Sequence, residues 1–399
     1  MRKLMNIILL LGLILILSVL SCKVTNKIGL PILVGFILIG ILVEHLIGFG
    51  DLKAHAESLC NFALLFIIFT GGLQTDFKKA KSILGVSILL SALGTVLTAA
   101  AAAAFAYFVL NFELYAAILL GAVISCTDAA SVFSILSTKK MNLKNNLGGV
   151  LEMESGSNDP TAYMLTIVFL SMATGVSQNV SILILMQILI GGGIGVGVGL
   201  LGRRMLNRLN LEIEELYAIL LCGVALIIYG MSAAFGGNGF LAVYIGGMIL
   251  GNSNIAHKRM LSRSFGAISM LMQVVLFIIL GILFIPGTFR TFAVIGVLFA
   301  LFLFFIARPL TVFLIMKPFG YKLNEIALVS WAGFRGASSI VFATYLLTQG
   351  LPYAETVFSI VFFVCMLSVI LQGSLLAPLA KRFNLLEPLE KAENDSDTA

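Results

Sequence analysis

Glu154-Ser155-Gly156-Ser157-Asn158-Asp159-Pro160 interrupts an apolar run, 146–172, that is otherwise long enough to cross a bilayer. A carboxylate inside such a run is costly. Asp159 lies about thirteen residues from either end, which at about 1.5 Å of helical rise per residue sets it near the bilayer midplane. Ionisable groups at that depth mark ion or proton pathways. At about 100° per residue, Ser155 and Asp159 share one helix face and Glu154 and Asn158 a neighbouring stripe, while Glu152 points nearly opposite Glu154. Pro160 has no N–H, so the Gly156 carbonyl loses its helical partner and becomes an available acceptor. Carboxylate, hydroxyl and carbonyl oxygens together suit a hard monovalent cation, and burial disfavours the charged carboxylate, which lets a proton compete for it.

The rest of the chain is a membrane protein's. Sixty per cent of its 399 residues are hydrophobic and 11% charged, against roughly 25% charged in soluble domains, and the mean hydropathy is +1.08. Thirteen hydrophobic spans are expected, near 4–22, 28–47, 58–75, 82–110, 114–138, 146–172, 179–202, 214–233, 237–251, 264–284, 291–316, 323–348 and 356–380. Most Lys and Arg fall in alternate loops, which places those loops in the cytoplasm, the N-terminus outside and the C-terminus inside a multi-pass cell-membrane protein. Arg2, Lys3 and the following run, ending at Ser21-Cys22, could make a lipoprotein signal peptide. Cleavage would leave Lys23 and Lys27 outside, against every later loop, so the run reads as the first span. The +6 formal charge is accordingly topological, and without a basic stripe interleaved with aromatics no nucleic acid is expected as partner. Residues 383–399 are polar and acidic and read as a short disordered cytoplasmic tail, leaving 1–382 as the transporter domain. The five scattered cysteines, with no CxxC pair, read as small core residues.

Weak internal symmetry links spans seven apart. Gly35…Gly40 in the second span has the spacing of Gly246…Gly251 in the ninth, and an odd offset means inverted repeats, a recurrent plan of secondary transporters. The same offset pairs the fifth and twelfth spans, each broken near midplane: Ser125-Cys126-Thr127-Asp128 in one, Gly333-Phe334-Arg335-Gly336 in the other. Non-helical backbone at that depth presents half-helix ends, and Asp128 and Arg335 stand where such ends need compensating charge.

Taken together, the Thr127-Asp128 break, Glu154-Ser155…Asn158-Asp159 and Trp331-Ala332-Gly333-Phe334-Arg335-Gly336-Ala337 resemble the electroneutral, NhaP-type branch of the monovalent cation/proton antiporters, over nearly the whole chain. Gly156-Ser157-Asn158-Asp159-Pro160 and Gly239-Phe240-Leu241-Ala242-Val243-Tyr244 are similar to its potassium/proton subgroup. The resemblance implies an all-α polytopic protein of about thirteen transmembrane helices with inverted repeats and two broken helices crossing near midplane, the NhaA/NapA-like antiporter fold. It implies a homodimer in which a core subdomain moves against a dimerisation subdomain, serving pH and cation homeostasis with no cofactor beyond the transported K⁺ or Na⁺ and H⁺. Asp159 would be the shared carboxylate, with Ser155 and the backbone near Thr127 completing the cation shell. Asn158 stands where electrogenic relatives carry a second aspartate, Asp128 joins the site, and Glu154 would be neutralised by Arg335. Members of the potassium subgroup often carry cytoplasmic regulatory domains, whereas this sequence stops soon after its last span.

Other readings are weaker. Gly191–Gly199 contains a GxGxxG-like string without a preceding strand, which reads as helix packing. His45, His55 and His257 fall near loops and read as surface residues. An intramembrane hydrolase would need a base beside Ser155 or Ser157, and no histidine shares their depth. A two-aspartate protease from Asp128 and Asp159 leaves Arg335 unexplained. A passive cation channel is the closest rival, and proton coupling separates it from an antiporter.

Overall fold

Apolar runs of this length leave the backbone no solvent partner in a bilayer, so each bonds to itself as helix. The computed structural model describes residues 2–387 apart from 29, 49, 78–80, 129–130, 133–134, 137–140 and 177–178. The helices are α1 (Arg2–Ile28), α2 (Ile32–Ile47), α3 (Gly50–Gln74), α4 (Leu84–Phe108), α5 (Leu114–Ile124), α6 (Leu147–Ala173), α7 (Val180–Arg208), α8 (Glu215–Ala234), α9 (Gly239–Gly251) and α10 (Lys258–Ile282). α11 is Pro286–Phe302 continued through a π turn, Leu303–Ala307, into Arg308–Met316; α12 (Leu323–Trp331), α13 (Ala337–Thr348) and α14 (Ala354–Arg382) follow. Among the described residues no strand is present beyond one isolated bridge, Leu143 to Leu386. Seven of the described helices are long and apolar enough to cross a membrane.

Helices fall where the apolar runs predict them, but several run further. α10 begins at Lys258 rather than near 264, because Lys258, Arg259 and Arg263 give its first two turns a charge that hydropathy does not register as part of the helix. α7 likewise continues past 202 to Arg208.

Helices α1, α2, α3, α7, α8, α9 and α10 pack on one another, and α4, α5, α6, α11, α12, α13 and α14 form a second packed group. Contacts of α9, α3 and α7 with α6, and of α3 with α13, join the two. Small residues set the closest approaches. Gly191, Gly195 and Gly199 of α7 lie against Asn238, Ala242 and Gly246 at the start and along the length of α9, with no room for a Cβ at the first two and a tight 3.1 Å at the third. Their spacing of four is helix packing, as expected. Gly40 of α2 meets Gly281 of α10, and Gly247 and Gly251 of α9 meet the α3 backbone.

One expectation needs correction. The tail is not disordered from 383: Lys144 N donates to Leu385 O at 2.8 Å and Glu387 N to Asn142 O at 2.9 Å, and Leu385 is buried. Leu385 and Leu386 supply an apolar pair that an overall polar composition hides. Residues 388–399 lie outside the described residues.

Candidate functional site

The two broken spans meet at their breaks. α5 stops at Ile124, and Asp128 N donates to Phe334 O at 2.8 Å, joining the first break to the second. Arg335, fully buried, turns its guanidinium back on the end of α5, where Nη1 donates to the carbonyls of Ser125 at 2.6 Å and Cys126 at 2.7 Å. A cation thereby caps a negative helix end. The Asp128 carboxylate packs against Gly336 at the head of α13, where a Cβ would collide with it, and Ser131 Oγ donates to its Oδ2 at 2.5 Å. An anion thereby faces a positive helix end.

The second break is held from behind by a π turn in α14, Ser368–Gln372. Arg335 N donates to Ser368 Oγ at 2.7 Å, Ser368 Oγ to Gln372 Oε1 at 2.5 Å, and Gln372 Nε2 to Trp331 O at 2.9 Å. Two of the backbone groups freed by the break, Arg335 N and Trp331 O, are thus satisfied by side chains, as non-helical chain in a membrane protein requires internal partners.

α6 crosses beside the breaks without interruption despite Pro160. The Pro160 carbonyl accepts from Asn238 Nδ2 at 2.8 Å, tying α6 to the start of α9. On the opposite flank Asn158 Nδ2 donates to Thr127 Oγ1 at 2.6 Å, and Thr127 Oγ1 and Ser155 Oγ are 2.9 Å apart. Asp159 is 2% exposed; its Oδ2 accepts from Ser338 Oγ, in the first turn of α13, at 2.8 Å. Its Oδ1 and the Asn158 Oδ1 are buried with no hydrogen-bond partner among the described residues. An unsatisfied buried oxygen costs roughly 1 to 3 kcal/mol, more when charged, and a proton or a cation removes that cost. Carboxylate, hydroxyl and amide oxygens are the donor set of a hard, oxygen-liking monovalent ion.

The ion pair expected between Glu154 and Arg335 is not formed. Glu154 pairs with Arg308 instead, Nη1 to Oε1 at 2.5 Å and Nη2 to Oε2 at 2.8 Å, with side chains 1% and 4% exposed. The physical reason is direction: Glu154 lies on the face of α6 turned away from Asp159, toward α11, while Arg335 is consumed by the α5 carbonyls. Arg308 follows the π turn of α11 and passes Gly333, whose missing side chain leaves room for Nε. An Arg directly before Pro309 inside an apolar span was the available signal for this partner. Ser338 was missed altogether; its only mark is a hydroxyl two residues beyond Gly336. The structure thus brings Asp159, Ser155, Asn158 and Thr127 together and sets Asp128 beside them at the head of α13.

The transmembrane sodium/hydrogen exchanger family matches residues 12–382. K(+)/H(+) antiporter NhaP of Alkalimonas amylolytica is 32% identical over 396 residues, 98% of this chain and 69% of that protein. K(+)/H(+) antiporter NhaP2 of Shewanella sp. (strain ANA-3) is 32% identical over 373 residues, 91% of this chain and 64% of the relative. The chain spans about two thirds of the length of these relatives. The sodium proton antiporter MjNhaP1 of Methanocaldococcus jannaschii at pH 8 superposes with a TM-score of 0.85 at 23% identity, over 96% of this chain and 99% of that one.

Proposed function

Because the chain belongs to the transmembrane sodium/hydrogen exchanger family, we propose that it exchanges a monovalent cation for a proton across the cell membrane, one for one, by alternating access around Asp159. The observation that carries this reading is the buried Asp159 carboxylate with one oxygen held by Ser338 and the other unpartnered. Glu154 is matched by Arg308 and Asp128 by the head of α13, so of the three carboxylates gathered at the breaks Asp159 is the one left to trade a proton for a cation. Thr127, Ser155 and Asn158 supply the neighbouring oxygens, and Asn158 in place of a second acid keeps the exchange electroneutral. Potassium is preferred over sodium on the strength of the two relatives described as K(+)/H(+) antiporters.

Counting α12 and α13 as one interrupted span, α1 to α14 make thirteen, with the N-terminus outside. The packing supports inverted repeats seven spans apart. α2 packs on α10 and α9 on α3, and an offset of seven turns the first contact into the second. α4 and α11, also seven apart, both carry a π turn, Leu90–Gly94 and Leu303–Ala307. The group containing α5, α6, α12 and α13 is the moving core. The other is the dimerisation subdomain, whose α7 and α8 are the long apolar helices least covered by the rest of the chain and offer a face to a second copy.

The test is cation-dependent proton flux in proteoliposomes, with K⁺, Na⁺, Rb⁺ and Li⁺ supplied in turn. Wild type should move protons on addition of K⁺, and Asp159→Asn should not, although it inserts and folds. Undiminished flux in Asp159→Asn would remove Asp159 from the reaction, and cation conduction without proton movement would make the protein a channel.

A further inference from the structure

Glu152 is the carboxylate of α6 that the site does not use. It is half-buried within the helix, and among the described residues nothing forms a hydrogen bond or ion pair with it. A carboxylate on a membrane span without a partner faces water or a pathway rather than lipid.

Its register says which. Seven residues separate Glu152 from Asp159, two turns of an unbroken helix, so the two carboxylates share one face about 10.5 Å apart along the axis. That face has two flanks. On one side Ser155 bonds to Thr127 in the first break. On the other Gly156 lies against the ring of Tyr244 on α9, 3.4 Å from where a Cβ would sit. The stripe carrying Glu152 and Asp159 therefore looks into the seam between the broken helices and α9, with Glu152 nearer the 142–146 loop.

We propose that Glu152 forms a second, transient site for the monovalent cation on this seam, which gathers the ion on the 142–146 side and passes it to Asp159. This rests on the exchange reading above. An ionised carboxylate in a low-dielectric cleft concentrates counter-ions and favours their entry. At 10.5 Å its field on an ion at Asp159 changes cation affinity by roughly two- to fifteenfold, from the dielectric of water to the effective dielectric of a protein.

The experiment measures the KM for K⁺ and the maximal rate of proton-coupled exchange in proteoliposomes of wild type, Glu152→Gln, Glu152→Asp and Glu152→Lys. Glu152→Gln should raise the KM for K⁺ roughly two- to fifteenfold while the rate at saturating K⁺ holds; Glu152→Asp should return the KM toward wild type, and Glu152→Lys should raise it further. A Glu152→Gln KM equal to wild type, or a loss of maximal rate at unchanged KM, overturns the proposal. Glu152→Ser gives the same reading should Gln not be tolerated by the fold. Calorimetric K⁺ binding to the detergent-purified protein separates the two layers. A wild type that binds K⁺ without exchanging it sinks the exchange reading alone, and Glu152→Gln binding K⁺ with wild-type affinity sinks the role of Glu152.

Discussion

Replacing Glu154 by Gln keeps the shape of the side chain and removes its charge, which leaves the Arg308 guanidinium buried without a counter-ion. The pair is bidentate, with contacts of 2.5 and 2.8 Å and side chains 1% and 4% exposed. Breaking a buried pair from one side costs about 3 to 5 kcal/mol, because the surviving charge stays desolvated, whereas removing both charges costs far less. The same reasoning gives Arg308→Met a loss of similar size. The double variant Glu154→Gln/Arg308→Met should then be more stable than the sum of the singles by at least about 2 kcal/mol, the signature of direct coupling. Reversible unfolding of the purified protein in mixed detergent–SDS micelles reads these differences. The control cycle is Glu154→Gln/Arg335→Ala, whose coupling should be clearly smaller, since Arg335 spends its Nη1 on Ser125 O and Cys126 O. Wild-type stability in Glu154→Gln, or a coupling to Arg335 as large as that to Arg308, would refute the assignment.

Two further outcomes follow from the same geometry. Gly336→Ala places a methyl group against the Asp128 carboxylate, so it should cost about 1 to 3 kcal/mol of stability as overpacking does and abolish exchange; thermal unfolding and proteoliposome flux check both, and a wild-type variant would mean the two breaks are less tightly joined. Exchange of one charge for one charge should give no sustained current on a solid-supported membrane, although the potential would contribute about 2.3 kcal/mol per charge per 100 mV if net charge moved; a steady current scaling with the K⁺ gradient would require a second titrating carboxylate.

What the sequence disclosed and what it hid divide along a physical line. Depth and helical register are one-dimensional properties. Register therefore placed Asp159 on one face with Ser155, the family resemblance added Asn158 and Thr127, and the two breaks were recognised from polar residues inside apolar runs. Charge compensation of half-helix ends was legible too, since Asp128 and Arg335 had to answer to something. Which partner each charge chooses depends on where separate spans cross. Arg335 and Arg308 are both arginines inside apolar spans, and nothing in spacing tells which one reaches Glu154; Gly333, beside Arg308 Nε, is the residue that decides it. Ser338 was hidden for a similar reason, because a hydroxyl at the head of a half-helix matters only once α13 is set against α6. The ordered start of the tail depends on Leu385 finding a buried place, a tertiary fact that a polar composition masks.

The central claim is that cation and proton take turns on one carboxylate, and the KM for K⁺ measured as a function of pH tests it most directly. Protonation of Asp159 excludes the cation, so lowering the pH should raise the KM for K⁺, approaching tenfold per pH unit once the proton occupies the site, while saturating K⁺ restores binding in full. The rate at saturating K⁺ should not show that same steep dependence. A KM for K⁺ that is independent of pH, with inhibition by protons that no concentration of K⁺ overcomes, would contradict a shared site at Asp159.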